Sequence, residues 1–385
     1  MTLSRRALLA AAGPATLLTF AAPGMVMAAP ATDRRFVFII QRGAADSLGI
    51  LAPTGDPAFA AARGVLAEDF ASAPTLGGLF ALHPALAETS ALYGKGEALF
   101  AHAVASPYRE RSHFDGQNVL ETGGAAAYAV KDGWLNRLLT LLPRTDAKAI
   151  AIAATVPVAL RGPVEVASYA PSNLPDASDD LLARVGALYE SDAQLHALWQ
   201  QANATRMLAG DLAAEAGRNA AATGALAARM LAAPAGERVA MIETGGWDTH
   251  AGQRGRLTGQ LRGLDAMIGA LRTGLGEHWA STLVLVATEF GRTVKVNGTQ
   301  GTDHGTGAMA MLIGGAVKGG RIVADWPGLA PAKLLEQRDL RPTLGLDALI
   351  ASAVAQHFAL DRERVAATLF PSLPRSADVQ GLIRA

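Results

Sequence analysis

Residues 239–250 read VAMIETGGWDTH and residues 283–292 read LVLVATEFGR. Between them Leu257, Leu261, Leu264, Met267, Ile268 and Leu271 recur at the spacing of one helical face. A short apolar run, a long amphipathic stretch and a second apolar run read as strand, helix, strand. That alternation is the pattern of α/β proteins. Working outward, similar runs occur at Phe36–Ile40, Leu99–Val104, Ala149–Ala153 and Met309–Ile313. Their apolar residues are continuous rather than alternating, as expected of strands covered on both faces. The expected architecture is a mostly parallel central sheet with helices on both sides. From about 176 to 233 the chain is alanine-rich, helical in pattern and free of strand signals, which predicts a helical insertion. Residues 371–385 read as a tail that packs loosely or frays.

The N-terminus is set apart from this domain. Arg5 and Arg6 precede an uncharged stretch rich in Ala, Leu, Gly and Pro, and Val26-Met27-Ala28 supplies small residues for cleavage. This is the pattern of a signal peptide over residues 1–28, and the paired arginines point to the twin-arginine translocase. The mature domain is then 29–385, periplasmic or secreted. Pro14, Pro23 and the many alanines make the stretch a poor membrane span, and no later segment reads as one. Half of all residues are hydrophobic and 18% are charged, enough apolar content for a sizeable core. Lys and Arg together number 34, as do Asp and Glu, so no basic surplus points to nucleic acid. The chain has no cysteine, which excludes disulfides, thiolate metal sites and cysteine nucleophiles.

The candidate chemistry follows the strands. Asp46 lies after the first, Ser112, His113 and Asp115 after the second, Asp248 and His250 after the Val239 run, and Glu289 and Arg292 after the Leu283 run. Asp303 and His304 come just before the Met309 run. Ligands of open parallel sheets bind beyond the carboxyl ends of the strands. Asp248 and His250, two apart, point the same way in extended backbone. Imidazoles mixed with carboxylates suit a transition metal, zinc or manganese, as one ion or two. Ser112-x-x-Asp115 has capping-box spacing. A serine at a helix start beside a metal is also placed to act as a nucleophile in phosphoryl or sulfuryl transfer. Arg292 is the candidate partner for a tetrahedral oxyanion. For Arg109 and Arg111 surface salt bridges are the expectation.

Several ordered motifs carry a family resemblance: Gln41–Asp46, Leu82–Leu86, Arg111–Asp115, Asp132–Arg137, Gly245–His250, Thr288–Arg292, Gly301–Gly305 and Asp325–Leu329. The chain resembles the bacterial domain-of-unknown-function 1501 family, which is grouped with the alkaline phosphatase and sulfatase superfamily. The resemblance implies an alkaline phosphatase-like fold, with Asp46, Asp248, His250 and His304 as metal ligands and Ser112 as nucleophile. It departs at Glu289-Phe290, where the superfamily usually shows Asp-His. Either His113 then substitutes, or the site holds one ion, or it binds without catalysing. Two readings follow. One is a metal-dependent hydrolase of phosphate or sulfate esters acting on a small-molecule or glycan ester. The other is a non-catalytic envelope or extracellular binding or assembly protein with a degenerate metal site.

Overall fold

The computed structural model describes residues 33–170, 177–210, 212–217, 219–234, 236–374 and 378–384. The expected signal peptide therefore lies outside the described residues.

Twelve strands form. In chain order they are β1 (Arg35–Gln41), β2 (Leu51–Ala52), β3 (Thr75–Leu76), β4 (Phe80–Leu82), β5 (Ala98–Ala105) and β6 (Ala149–Ile152). There follow β7 (Ala167–Ser168), β8 (Val239–Thr244), β9 (Thr282–Ala287), β10 (Ala308–Ile313), β11 (Arg321–Val323) and β12 (Leu344–Gly345). All six expected runs join one nine-stranded sheet, in the order β11-β5-β10-β9-β1-β8-β6-β7 with β12 added beside β5. The small sheet is β2-β4-β3.

Both faces of the large sheet are dry. Phe36, Phe38 and Ile40 of β1 face one apolar cluster, while Val37 and Ile39 face another. The same alternation runs through β8, β9 and β10, which explains why these strands read as unbroken apolar runs. Helix Leu346–Phe358 and Trp134 cover the first face. Helix Gln253–Leu275 covers the second with the Leu257-to-Leu271 stripe, and helix Ala220–Ala232 joins it through Leu226, Met230 and Leu231. Helices Asp179–Tyr189 and Ala193–Ala209 are largely exposed, with Leu188 and Met207 open to solvent, and the second joins the second cluster only at its end through Leu208 and Ala209.

One strand departs from the parallel expectation. β10 runs antiparallel to both β9 and β5, while the other pairings of this sheet are parallel. Its amino end therefore meets the carboxyl ends of β1, β5, β8 and β9. The tail departs as well. Leu382 and Ile383 are buried, Arg384 N–H donates to the Ala316 carbonyl at 2.8 Å, and Ile383 bridges Val317. The buried pair Leu382 and Ile383 docks the end of a segment expected to pack loosely or fray.

Candidate metal centre

Four loops meet at this sheet edge, each with a reason to hold its shape. After β8, Trp247 and Thr249 turn inward and are buried, leaving Asp248 and His250 45% and 43% exposed on the other side. The Trp247 indole N–H anchors the turn on the Thr244 hydroxyl at 3.0 Å. After β5, the chain enters helix His113–Thr122 with Ser112 in extended conformation at its N-cap. The Ser112 hydroxyl makes no capping bond, so the capping box read from its spacing does not form; its backbone N–H is held by the Tyr108 hydroxyl at 3.1 Å. Before β10, the 301–305 turn presses against the 291–293 segment, where His304 bridges Arg292. Two glycines permit the packing. Gly43 has φ +117° with the Asp248 amide 2.7 Å from where a Cβ would stand, and a Cβ on Gly301 would overlap the His250 carbonyl.

Three imidazoles converge there. His113 Nδ1 donates to Glu289 Oε1 (2.8 Å), His250 Nδ1 to Asp303 Oδ1 (3.1 Å), and His304 Nδ1 to the Arg111 carbonyl (2.9 Å). Carboxylates and carbonyls only accept, so all three Nδ1 atoms carry the proton. The three Nε2 atoms turn toward Asp248. His250 Nε2 lies 3.0 Å and His304 Nε2 3.4 Å from Oδ1, and His113 Nε2 lies 3.5 Å from Oδ2. Two consequences point to a cation. His250 Nε2 and His304 Nε2 stand 2.9 Å apart, and His113 Nε2 is buried without a hydrogen-bond partner. Ligand atoms of His113, Asp248 and His304 all lie within 4.8 Å of one another. Nitrogen lone pairs facing a carboxylate, each imidazole fixed from behind by an acceptor, are the arrangement of zinc-type sites.

The charges around the centre agree. Burial pushes the Glu289 carboxyl up, but hydrogen bonds led by His113 and Gln117 outweigh it and hold the group below its ordinary range. Burial likewise acts upward on Asp248, and the Arg292 guanidinium overcomes it. The Asn297 amide, then His250, hold Asp303 down. Burial lowers His304, helped by repulsion from His113 and Arg292, while the Glu289 hydrogen bond raises His113. Phe290, where the family resemblance led one to expect histidine, stacks on His113 with centroids 5.1 Å apart and lies 5.3 Å from His304. Gly116 leaves it room, since a Cβ there would stand 2.9 Å from the ring.

The other expected site residues take different posts. Glu289 and Asp303 hold histidines from behind rather than joining the trio. Arg292 is fully buried and donates to the carbonyls of Gly43, Ala44, Trp247 and Thr302 and to Asp248. It orients Asp248 from a fully buried position and exposes no fork to an oxyanion. Asp46 is buried in an ion pair with Arg63 and also accepts from Gln253. Arg111 pairs with Asp339 at 2.8 Å and Glu336 at 2.6 Å, and Arg109 caps the Ser106 and Tyr108 carbonyls. Sequence reading missed Gln117, whose amide donates to Glu289 at 3.0 Å. The signal was there, because Gln117 sits one helical turn after His113 and reaches the same acceptor. Arg63 and Gln253 gave no local signal.

Fold and centre together define an α/β protein with a solvent-open nitrogen and oxygen donor cluster at the carboxyl edge of its sheet. Residues 33–369 match the family described as "Protein of unknown function (DUF1501)", and the chain belongs to that family. No curated protein matches it. Among solved structures, it is similar to the C-terminal periplasmic domain of EcEptC from Escherichia coli (9% identity, 90% of this chain and 89% of that chain, TM-score 0.39). The same domain in complex with Zn is matched at 8% identity over 74% and 73%, with TM-score 0.34. Ps i-CgsB in complex with k-i-k-neocarrahexaose is matched at 10% identity over 89% and 76%, with TM-score 0.37. Likenesses this remote assign neither ligand nor reaction. Among the described residues no helix is long and apolar enough to cross a membrane.

Proposed function

We propose that this chain is an exported, divalent metal-dependent hydrolase of phosphate or sulfate esters with an alkaline phosphatase-like domain. The observation that carries the reading is the convergence of three imidazole Nε2 atoms on the exposed Asp248 carboxylate, with every Nδ1 proton already committed. His113, Asp248 and His304 would hold zinc or manganese, with His250 beside them. A bound divalent ion supplies Lewis acidity, polarising an ester oxygen and lowering the pKa of an attacking hydroxyl. Arg292 holds Asp248 in place, and Glu289 holds His113. Ser112 is the nucleophile of this reading. It adjoins His113, its hydroxyl is not used as a cap, and the helix it opens offers amide N–H groups to an anion.

The test uses protein loaded with zinc or manganese, and aryl phosphates and aryl sulfates as probes. The parent hydrolyses one class, while Ser112→Asn keeps its metal and melting temperature and loses turnover by orders of magnitude. Equal rates in parent and variant would return Ser112 to a structural role. One observation favours the second reading, a binding or assembly protein of the envelope. Arg292 is fully buried and engaged by protein carbonyls and Asp248, so it presents no exposed fork to a tetrahedral anion. A metal-loaded parent inert toward both ester classes would count against the hydrolase and favour that reading instead.

Export is the second part of the proposal. The translocase reads Arg5 and Arg6 as a pair, so replacing both by Lys leaves precursor in the cytoplasm. Cell fractionation checks this, and normal export of the double variant would refute it.

A further inference from the structure

We infer that the centre is mononuclear, and that the Arg63 guanidinium serves as the fixed cation of Asp46, which the superfamily resemblance implies as a metal ligand. The inference rests on the metal-centre reading above and goes beyond it in the number of ions and the role of Arg63. Asp46 is 1% exposed and the Arg63 side chain 0%. The carboxylate takes both the guanidinium and the Gln253 amide on Oδ2. Neither donor can readily turn away. Arg63 is also tied to the carbonyls of Thr293 and Val294, each at 3.2 Å. Gln253 accepts the hydroxyls of Thr249 (2.9 Å) and Thr302 (2.6 Å) on its Oε1, which leaves its NH2 facing Asp46.

The crowding of Oδ2 and the charge of Arg63 both oppose a second ion. A Cβ on Gly49 would stand 2.7 Å from Asp46 Oδ2, so that oxygen is closely packed as well as doubly hydrogen-bonded. The other oxygen, Oδ1, is buried without a hydrogen-bond partner, so against an ion there stand the charge of Arg63 and, among the described residues, the lack of a ligand set that includes Asp46. A divalent ion there would share one carboxylate with a buried guanidinium, two like charges in a site screened from water. Among the described residues, the set of His, Asp and Glu whose ligand atoms lie close enough to hold an ion is His113, Asp248 and His304, without Asp46. The buried pair thus completes the charge of Asp46 with a side chain.

The experiment counts ions. Full-length protein, freed of its leader, is saturated with zinc or manganese, passed through gel filtration and measured for metal per chain by mass spectrometry. One ion per chain is expected. Two retained ions would overturn the inference while leaving the metal-centre reading intact; none would overturn both. A paired variant, Asp46→Asn with Arg63→Met, removes the two charges together. It should retain one ion with affinity within a few-fold of the parent in a chelator competition. If it retains none while remaining folded by circular dichroism, Asp46 is a ligand and the inference fails.

Discussion

Glu289 shows how much one side chain can organise. It is fully buried, and three donors converge on its Oε1, the Gly43 amide, the His113 ring and the Gln117 amide, while the Thr288 hydroxyl lies 2.9 Å from its Oε2. An ionised carboxylate accepts all of them, whereas an amide brings donors of its own. Glu289→Gln therefore removes the negative charge that these donors favour and weakens the hold on the His113 ring. Substitutions in such supporting positions typically cost about 10–100-fold in metal affinity. We expect a loss of that order, measured by chelator competition, together with a lower melting temperature. Unchanged affinity would remove Glu289 from the support of the centre. Arg111 contributes by its backbone. It holds φ at +62°, uncommon for a residue with a Cβ, and in that shape its carbonyl accepts from His304. Two ion pairs on its side chain maintain the conformation. The sequence marked His113, Asp248 and His250 through residue type and position after strands, and His304 through its type and its place just before one. It could not mark a carbonyl, because a carbonyl is present at every residue.

At the level of elements, the direction of β10 decides whether the centre exists. In a wholly parallel sheet a residue just before a strand lies at the amino edge, away from residues that follow their strands. Because β10 pairs antiparallel with β9 and β5, Asp303 and His304 arrive at the edge where Asp248, His250 and His113 already stand. An apolar run such as Ala308–Ile313 has the same composition read in either direction. Its orientation is set by its partners through the Met311-to-Val286 and Ala308-to-Val104 pairings. The Asp248-Thr249-His250 spacing was legible because strand-like alternation is local. The capping box was misleading for the same reason: spacing places Ser112 at the helix start, but the side-chain rotamer belongs to its surroundings.

For the whole molecule, the two apolar layers bury imidazoles that have no part in the centre. His102 and His357 are fully buried, and burial pushes them down to about 4 and about 3 respectively. An unfolded histidine titrates near 6.5. Between 6.5 and those lower values the unfolded chain takes up protons that the folded chain refuses. Their contribution to stability is therefore complete above pH 6.5 and declines as the pH falls, by roughly 1 kcal/mol per pH unit for each histidine. Urea midpoints should drop between pH 7 and pH 5. His357→Gln, which keeps a donor near the Arg35 carbonyl, should show a shallower pH slope than the parent. An unchanged slope would mean that His357 is not the titrating group.

The sequence alone determined the layered α/β architecture, because the period of apolar residues depends on local geometry: runs for strands dry on both faces, a 257-to-271 stripe for the helix that covers them. It also determined which residue types stand near the sheet edge. Only the tertiary structure decided which of them meet. Asp46 and Arg63 are joined across 17 positions, Glu289 reaches His113 across 176, and Arg292 spends its donors on four carbonyls. Hydrogen bonds and ion pairs fall off within a few ångströms, so they select partners only after the chain has brought distant segments together.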